Sequence, residues 1–101
     1  MRNLLAFDLG ASNGRAILGQ FDGEKITMRE LHRFENNYIE MNGVFYWDLP
    51  YLYNQLKQGF LAFKNANVGE LDCFGIDTWG VDYGLLDKND QLLSNPRSYR
   101  Y

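Results

Sequence analysis

The stretch FDLGASNGR, residues 7–15, decides how the fold begins. It follows the apolar residues of Leu4–Ala6, so a buried strand, predicted over Leu4–Leu9, runs into an acid and then a glycine. Small residues and a second glycine come next, and GRAILGQF, residues 14–21, has the composition of a second strand. The pattern predicts an antiparallel pair whose connecting turn is flexible and rich in backbone N–H groups.

A third strand is predicted over residues 24–34, because Asp22 and Gly23 form a hairpin signal in which both residues tolerate positive φ. The alternation of apolar residues slips in this segment, which predicts a β-bulge near Arg29–Leu31. The Asn-rich stretch that follows, residues 35–48, is interpreted as a loop with a short extended piece at its end, Val44–Trp47.

A helix is predicted over Leu49–Asn65. Asp48 is placed to cap its N-terminus, and Pro50 is tolerated in the first turn. Gly59 within the helix costs about 1 kcal/mol relative to Ala, which indicates close packing on a sheet. The apolar stripe has spacings of three and four residues and consists of Leu49, Leu52, Leu56, Phe60 and Phe63.

Two further strands are predicted after the helix. ELDCFGIDTWG, residues 70–80, has an apolar centre that suggests burial on both faces, with Cys73 in the core. VDYGLLD, residues 81–87, is predicted to be the last strand. The order β-β-β-α-β-β defines an α/β fold, in which the strand after the helix returns parallel to the first.

Composition limits the classes of function. The 101 residues suffice for one domain, and their ten Lys and Arg residues are scattered through a chain of formal net charge −3, so we expect no nucleic-acid partner. No apolar run has the length of a membrane span, and the N-terminus lacks a secretory signal. A single cysteine excludes an internal disulfide framework. We therefore expect a cytoplasmic protein that binds small molecules and no membrane.

Two acids mark the ends of the first and fourth strands, Asp8 and Asp77. If these strands are parallel neighbours, both carboxylates lie at the sheet edge where open α/β sheets bind ligands. A hydrated Mg²⁺ would offset their repulsion. The turn between the first two strands offers backbone donors, the side chains of Ser12 and Asn13, and Arg15 for a phosphoryl group. The sequence therefore indicates a site for a metal and a nucleotide.

Other readings remain open at this stage. Turns use Asp-x-Gly constantly, and the stretch matches neither the P-loop nor the dinucleotide fingerprint. Trp79 is either core or a wall for a sugar ring, and Asp82 either pairs with a solvent-facing partner or binds a substrate hydroxyl. His32 is interpreted as structural or surface, and Trp47 as packing against the helix start.

Four motifs carry a family resemblance: FDLGASNGR, ELHRFEN, NGVFYWDLP and GIDTWGVDYGLLD. In this order they resemble the beginning of the rhamnulokinases, carbohydrate kinases of the FGGY family within the actin-like ATPase superfamily. The resemblance covers essentially the whole chain. It implies a ribonuclease H-like fold, residues 1–101 being the N-terminal part of the first of two kinase domains.

The resemblance also implies a reaction, the transfer of the ATP γ-phosphate to the 1-hydroxyl of L-rhamnulose with Mg²⁺, in L-rhamnose catabolism. Asp8 matches the family's Mg²⁺-associated acid, Asp77 is a weaker candidate for it, and Gly80 matches a position that contacts the sugar, with Trp79 and Asp82 as weaker candidates. Ala11 stands where many FGGY kinases carry Thr. The ATP-phosphate loop is matched by Ala11, Ser12, Asn13, Gly14 and Arg15.

The family's catalytic base is an Asp in a downstream His-Asp-Thr motif, and its adenine pocket is in the second domain. We therefore expect no catalytic base in these residues, and a fragment that is inactive and self-associates. The alternatives are another FGGY kinase such as a fuculokinase, a non-enzymatic actin-like ATP-binding module, or a small free-standing α/β domain.

Overall fold

A computed structural model describes residues 1–99 of the chain. A four-stranded sheet in the order β3-β2-β1-β6 carries one helix, and β4 and β5 form a separate hairpin. The elements, in chain order, are β1 (Arg2–Leu9), β2 (Asn13–Phe21), β3 (Ile26–Glu35), β4 (Tyr38–Met41), β5 (Val44–Trp47), α1 (Leu49–Asn65) and β6 (Cys73–Asp77).

The three-stranded meander forms as predicted. β1 pairs antiparallel with β2, and β2 with β3 across the hairpin turn, where Gly23 has φ +103° and the N–H of Asp22 donates to the Lys25 carbonyl at 3.2 Å. The register slips once, because Ala16 pairs with His32 and Ile17 pairs with Glu30. Leu31 is therefore the extra residue of the predicted β-bulge.

The helix α1 has the predicted bounds. The Asp48 side chain accepts a hydrogen bond from the N–H of Tyr51 at 3.2 Å, and Pro50 lies in the first turn. Gly59 faces the sheet, where a Cβ atom would stand 2.3 Å from Cε1 of Phe7 and 3.1 Å from Cβ of Ala16. The glycine therefore sets how closely the helix approaches β1 and β2.

The core lies between α1 and one face of the sheet. Alternate residues of β1 and β2 point toward the helix, as a period of two requires. The buried cluster consists of Leu5, Phe7, Ala16, Leu18 and Phe63. The residues between them, including Asp8 and Arg15, lie on the opposite face of the sheet.

The strand after the helix is parallel to β1, as expected, but its predicted burial on both faces is wrong. All five residues of β6 are exposed, including Cys73, which was expected in the core. The reason is that β6 is an edge strand in the described part of the chain, and α1 packs mainly over β3, β2 and β1.

Two segments differ from the sequence prediction. Residues 81–87 do not form the predicted last strand: Val81 has φ +69°, and only an isolated bridge joins Leu86 to Leu92. The segment predicted as a loop with an extended piece at Val44–Trp47 contains that piece as β5. The unpredicted strand β4 pairs with it in a hairpin, whose turn at Asn42-Gly43 has φ +53° and +78°. The Asn-Gly dipeptide is a strong hairpin signal that the Asn-rich composition of its surroundings obscured.

Candidate active site at the carboxyl ends of β1 and β6

Asp8 and Asp77 are direct neighbours across the parallel pair formed by β1 and β6. Directly paired residues of parallel strands project from the same face of a sheet, about 4.8 Å apart along the hydrogen-bonding direction. The two acids therefore share one face at the carboxyl ends of their strands, as the sequence predicted. This is the face opposite α1.

Arg15 extends this row of side chains onto β2. It is the register partner of Asp8 in the antiparallel pair, and its Nη2 donates to Oδ2 of Asp8 at 2.6 Å. The side chains of Arg15 and Asp8 are 36% and 46% exposed, so the pair contributes at most about 1 kcal/mol to stability. The main effect of the ion pair is to hold the positively charged guanidinium of Arg15 beside the two carboxylates.

Arg33, the register partner of Arg15 on β3, is engaged elsewhere. Its Nη2 donates to Oε1 of Glu30 at 2.7 Å. This hydrogen bond lowers the pKa of the Glu30 carboxyl and raises the pKa of the Arg33 guanidinium. Arg15 is therefore the guanidinium of this row that pairs with Asp8.

The turn between β1 and β2 is folded back on itself and anchored from the end of β3. The N–H of Gly10 donates to the Asn13 carbonyl at 2.8 Å, which closes the turn. Asn36 donates its backbone N–H to the Ser12 carbonyl at 3.0 Å and its Nδ2 to the Gly10 carbonyl at 2.8 Å. Sequence reasoning missed Asn36, whose signal was its position at the end of the motif ELHRFEN.

A second group of side chains lies at the same sheet edge, near the start of α1. The indole N–H groups of Trp47 and Trp79 both donate to Oδ2 of Asp82, at 2.6 and 2.8 Å. The two indole rings lie 4.4 Å apart between centroids. Trp47 is buried and packs at the helix start, as predicted. Asp82 pairs with two indoles, of which that of Trp47 is buried, and not with the solvent-facing partner considered from the sequence.

A cavity of about 250 Å³ adjoins this group and is lined mainly by apolar side chains, among them Leu9, Leu52 and Trp79, with Asp82 as its charged residue. Gly80 follows Trp79 in the chain and is exposed. A Cβ atom placed on Gly80 meets no atom within 4 Å in the described part of the chain. The space beside Gly80 is therefore open to a ligand.

The predicted structural or surface role of His32 agrees with its contacts. Its Nε2 lies 2.6 Å from Oε1 of Gln55, and its ring lies 5.6 Å from that of Phe34. The contact with Gln55 joins β3 to α1, away from the row of Asp8 and Arg15, and the contact with Phe34 lies within β3.

The donor set at the sheet edge suits a hydrated Mg²⁺. Asp8 and Asp77 present carboxylate oxygens from one face, the ligand type that this cation prefers. Residues 1–99 hold no cluster of three or more His, Cys, Asp or Glu side chains of the kind that would enclose a metal completely. Two carboxylates fit Mg²⁺ that keeps its remaining positions for water and phosphate oxygens.

No protein-family model matches the chain. Curated proteins do: the chain is 44% identical over 100 residues to a rhamnulokinase of Mannheimia succiniciproducens, covering 97% of this chain and 20% of that protein. It is 45% identical to a rhamnulokinase of Halalkalibacterium halodurans, covering 99% of this chain and 21% of that protein. The chain thus spans about a fifth of the length of the curated relatives it matches.

Solved structures give the same architecture. A ligand-bound xylulose kinase from Lactobacillus acidophilus superposes with a TM-score of 0.77 at 13% identity, covering 97% of this chain and 20% of that one. A gluconate kinase from the same organism gives a TM-score of 0.77 at 13% identity, covering 96% and 19%. At this identity the likeness establishes the fold.

The fold is therefore the α/β architecture expected from the motifs, and these two sugar kinases share it over about a fifth of their length. In sequence, the chain is similar to the rhamnulokinases over nearly its whole length. Among residues 1–99, no helix has the length and hydropathy that crossing a bilayer demands.

Proposed function

We propose that the full-length protein containing this chain is a cytoplasmic, ATP-dependent kinase that phosphorylates the 1-hydroxyl of L-rhamnulose in L-rhamnose catabolism. The observation that carries the proposal is the meeting of Asp8, Asp77 and the turn after β1 at one edge of the sheet. Similarity to the rhamnulokinases supports the choice of sugar. Residues 1–101 form the N-terminal part of the first of two kinase domains.

The turn and the start of β2 bind the ATP phosphates in this proposal. The residues involved are Ala11, Ser12, Asn13, Gly14 and Arg15. Backbone N–H groups attract phosphate oxygens, and the Arg15 guanidinium adds charge-assisted hydrogen bonds. Its ion pair with Asp8 is half-exposed and weak, so Arg15 can exchange the carboxylate for a phosphate oxygen at little cost in free energy.

Asp8 and, more weakly, Asp77 would hold Mg²⁺. The cation, when bound, neutralises charge on the transferred phosphoryl group. Asp8 also fixes the Arg15 guanidinium beside the phosphate loop in the absence of nucleotide. Asp77 lies next to Asp8 in register and keeps the local potential negative, which favours a divalent cation.

The sugar lies against Gly80 in this proposal, with Trp79 and Asp82 contributing to the wall. Trp79 offers an apolar ring surface next to an exposed glycine backbone. Oδ2 of Asp82 accepts from two indoles, which fixes the orientation of the carboxylate relative to the cavity. The general base that deprotonates the sugar hydroxyl comes from outside these 101 residues.

Gly80→Ala tests the sugar position directly, because the added methyl group meets nothing in the described chain. In the full-length protein we expect the KM for L-rhamnulose to rise about tenfold, as one steric clash with a bound ligand would cause, with the melting temperature unchanged. Gly19→Ala is the matched control: its methyl group would lie in ordinary contact, 3.7 Å from Ile26, away from the site. Equal KM values in the two variants would refute the position of the sugar.

The reaction itself is tested by ADP release from the full-length protein with a panel of ketoses. Release that depends on L-rhamnulose supports the proposal. Faster release with L-fuculose would identify a fuculokinase, and ATP binding without any sugar-dependent release would identify a non-enzymatic module.

A further inference from the structure

Asn36 directly follows β3 and is joined to the turn after β1 by two hydrogen bonds. Its Nδ2 donates to the Gly10 carbonyl at 2.8 Å, and its backbone N–H donates to the Ser12 carbonyl at 3.0 Å. Only 2% of the surface of Asn36 is exposed. One buried residue, 26 positions along the chain from Gly10, therefore holds two peptide groups of the turn.

These hydrogen bonds hold two carbonyl oxygens of the turn, those of Gly10 and Ser12, against Asn36. A third carbonyl, that of Asn13, accepts from the N–H of Gly10 at 2.8 Å. Carbonyl oxygens carry partial negative charge and repel phosphate, whereas N–H groups attract it. By binding the Gly10 and Ser12 carbonyls, Asn36 keeps their oxygens committed to the protein and away from an incoming anion.

Packing alone does not explain why an asparagine occupies position 36. Its Oδ1 atom is buried and has no hydrogen-bond partner among residues 1–99. Burial of an unpaired amide oxygen opposes folding, so an apolar residue of similar size would serve a purely packed position better. The value of the asparagine lies in its donor, which only a side chain with an N–H or O–H group can supply.

We propose that Asn36 is a positioning residue for the ATP phosphates. It acts through the turn and does not itself touch the nucleotide. The inference rests on the proposed function, because it assigns Asn36 to the phosphate loop of that site. Its signature is selective: losing the Nδ2 donor weakens nucleotide binding, while sugar binding at Gly80, which follows β6 and does not contact Asn36, stays unchanged.

The test compares Asn36→Ala with Asn37→Ala in the full-length protein. Asn37 is a matched control, since it is the next residue, is exposed, and donates only to the side chain of Glu35 at 3.3 Å. For Asn36→Ala we expect the KM for ATP to rise about three- to tenfold, the effect of losing one buried hydrogen bond. The KM for the ketose stays within about twofold of the wild-type value, within the error of such comparisons.

A second variant and a second measurement keep the inference testable. If Asn36→Ala does not fold, Asn36→Ser, which retains a short donor, is measured in the same way, and its KM for ATP should rise above that of Asn37→Ala while its KM for the ketose does not. Calorimetric titration with ATP alone gives the nucleotide affinity whether or not the protein phosphorylates a sugar. A wild-type protein that binds ATP but turns over no sugar would count against the proposed function and not against the role of Asn36. An ATP affinity equal in the Asn36 and Asn37 variants, or an equal loss for ATP and ketose, overturns the inference.

Discussion

The Arg15 guanidinium lies 2.6 Å from the carboxylate of Asp8, the residue opposite it across the β1–β2 pair. Asp77 stands on the other side of Asp8, on the parallel strand β6. A cation and two acids are therefore aligned in one row across three strands. Each member of the row can be substituted by itself, so the proposed roles of Arg15 toward phosphate and of Asp8 and Asp77 toward a metal are individually testable.

Asp8→Asn should lower the kcat of the full-length protein, in the proposed kinase reaction, about a hundredfold or more, the scale of removing one preorganised electrostatic group. The amide keeps the shape of the side chain but removes the charge that orients Arg15 and that, in the proposed site, would hold Mg²⁺. The free energy of unfolding should change by less than about 1 kcal/mol, since the ion pair is half-exposed. Steady-state kinetics at saturating Mg²⁺ check this, with the exposed Glu24→Gln as control, and an unchanged kcat would contradict the role.

Arg15→Ala should raise the KM for ATP about tenfold, as loss of a charge-assisted hydrogen bond does, and leave the affinity for sugar nearly unchanged. Arg15→Lys keeps the charge but loses the forked geometry, so it should recover only part of the affinity. Calorimetric titration of each variant with ATP and with ketose separates the two effects. Loss of sugar affinity with retained ATP affinity would show that Arg15 serves the other substrate.

Gly59→Ala should destabilise the fold by about 1–3 kcal/mol, the usual cost of overpacking, although alanine is the better helix former. The added Cβ would stand 2.3 Å from the Phe7 ring, so α1 or the ring must shift. Gln58→Ala, on the exposed face of the same helix, is the control and should be neutral or slightly stabilising. Urea denaturation measures both, and equal midpoints would rule out the close approach of α1 to the sheet.

Asp82→Ala should lower the free energy of unfolding by about 1–3 kcal/mol, because it leaves the buried indole N–H of Trp47 without its acceptor. Asp82→Asn retains a side-chain oxygen that can accept from both indoles and should cost much less. Thermal denaturation of the two variants distinguishes loss of the acceptor from loss of the charge. Identical destabilisation by both substitutions would show that the charge, and not the hydrogen bonds, supports the segment.

The 101-residue chain prepared by itself should self-associate and release no ADP in response to L-rhamnulose. In the described residues the outer edge of β6 is unpaired, and Phe74 and Ile76 are 54% and 50% exposed. Such edges pair with other copies, and a lysine on the strand opposes this. Light scattering should therefore show a smaller particle for Ile76→Lys than for the unmodified chain. A monomeric unmodified chain, or sugar-dependent ADP release from it, would contradict the prediction.

Local signals predicted most of the main sheet and the helix. The Asp48 cap and the apolar stripe gave the bounds of α1, and the slipped alternation near Leu31 gave the bulge, because each depends on residues close in sequence. The parallel pairing of β1 and β6 was predictable because a helix that connects two strands of one sheet favours a parallel arrangement. The proximity of Asp8 and Asp77 was predictable because each strand has an Asp close to a Gly at its carboxyl end.

Features that depend on tertiary context were not predictable in this way. The apolar run of Cys73–Asp77 reads as buried, and its exposure reflects its place at the sheet edge. Segment 81–87 has strand-like composition but turns instead, so that Asp82 meets both Trp47 and Trp79. Asn36 escaped notice because its two acceptors, the Gly10 and Ser12 carbonyls, lie 26 and 24 residues earlier, and its place at the end of ELHRFEN does not by itself indicate those contacts.

The pairing of β1 with β6 has a kinetic consequence. The β1–β2–β3 meander uses neighbouring segments and can form early, whereas every β1–β6 pair joins residues as far apart in sequence as Asn3 and Asp72, which are separated by 69 positions. Contacts that close long loops form late, since the loop entropy must be lost first. Asp8 and Asp77 therefore come together only when β6 docks, and a divalent-cation response that needs both carboxylates should appear during refolding no earlier than this step.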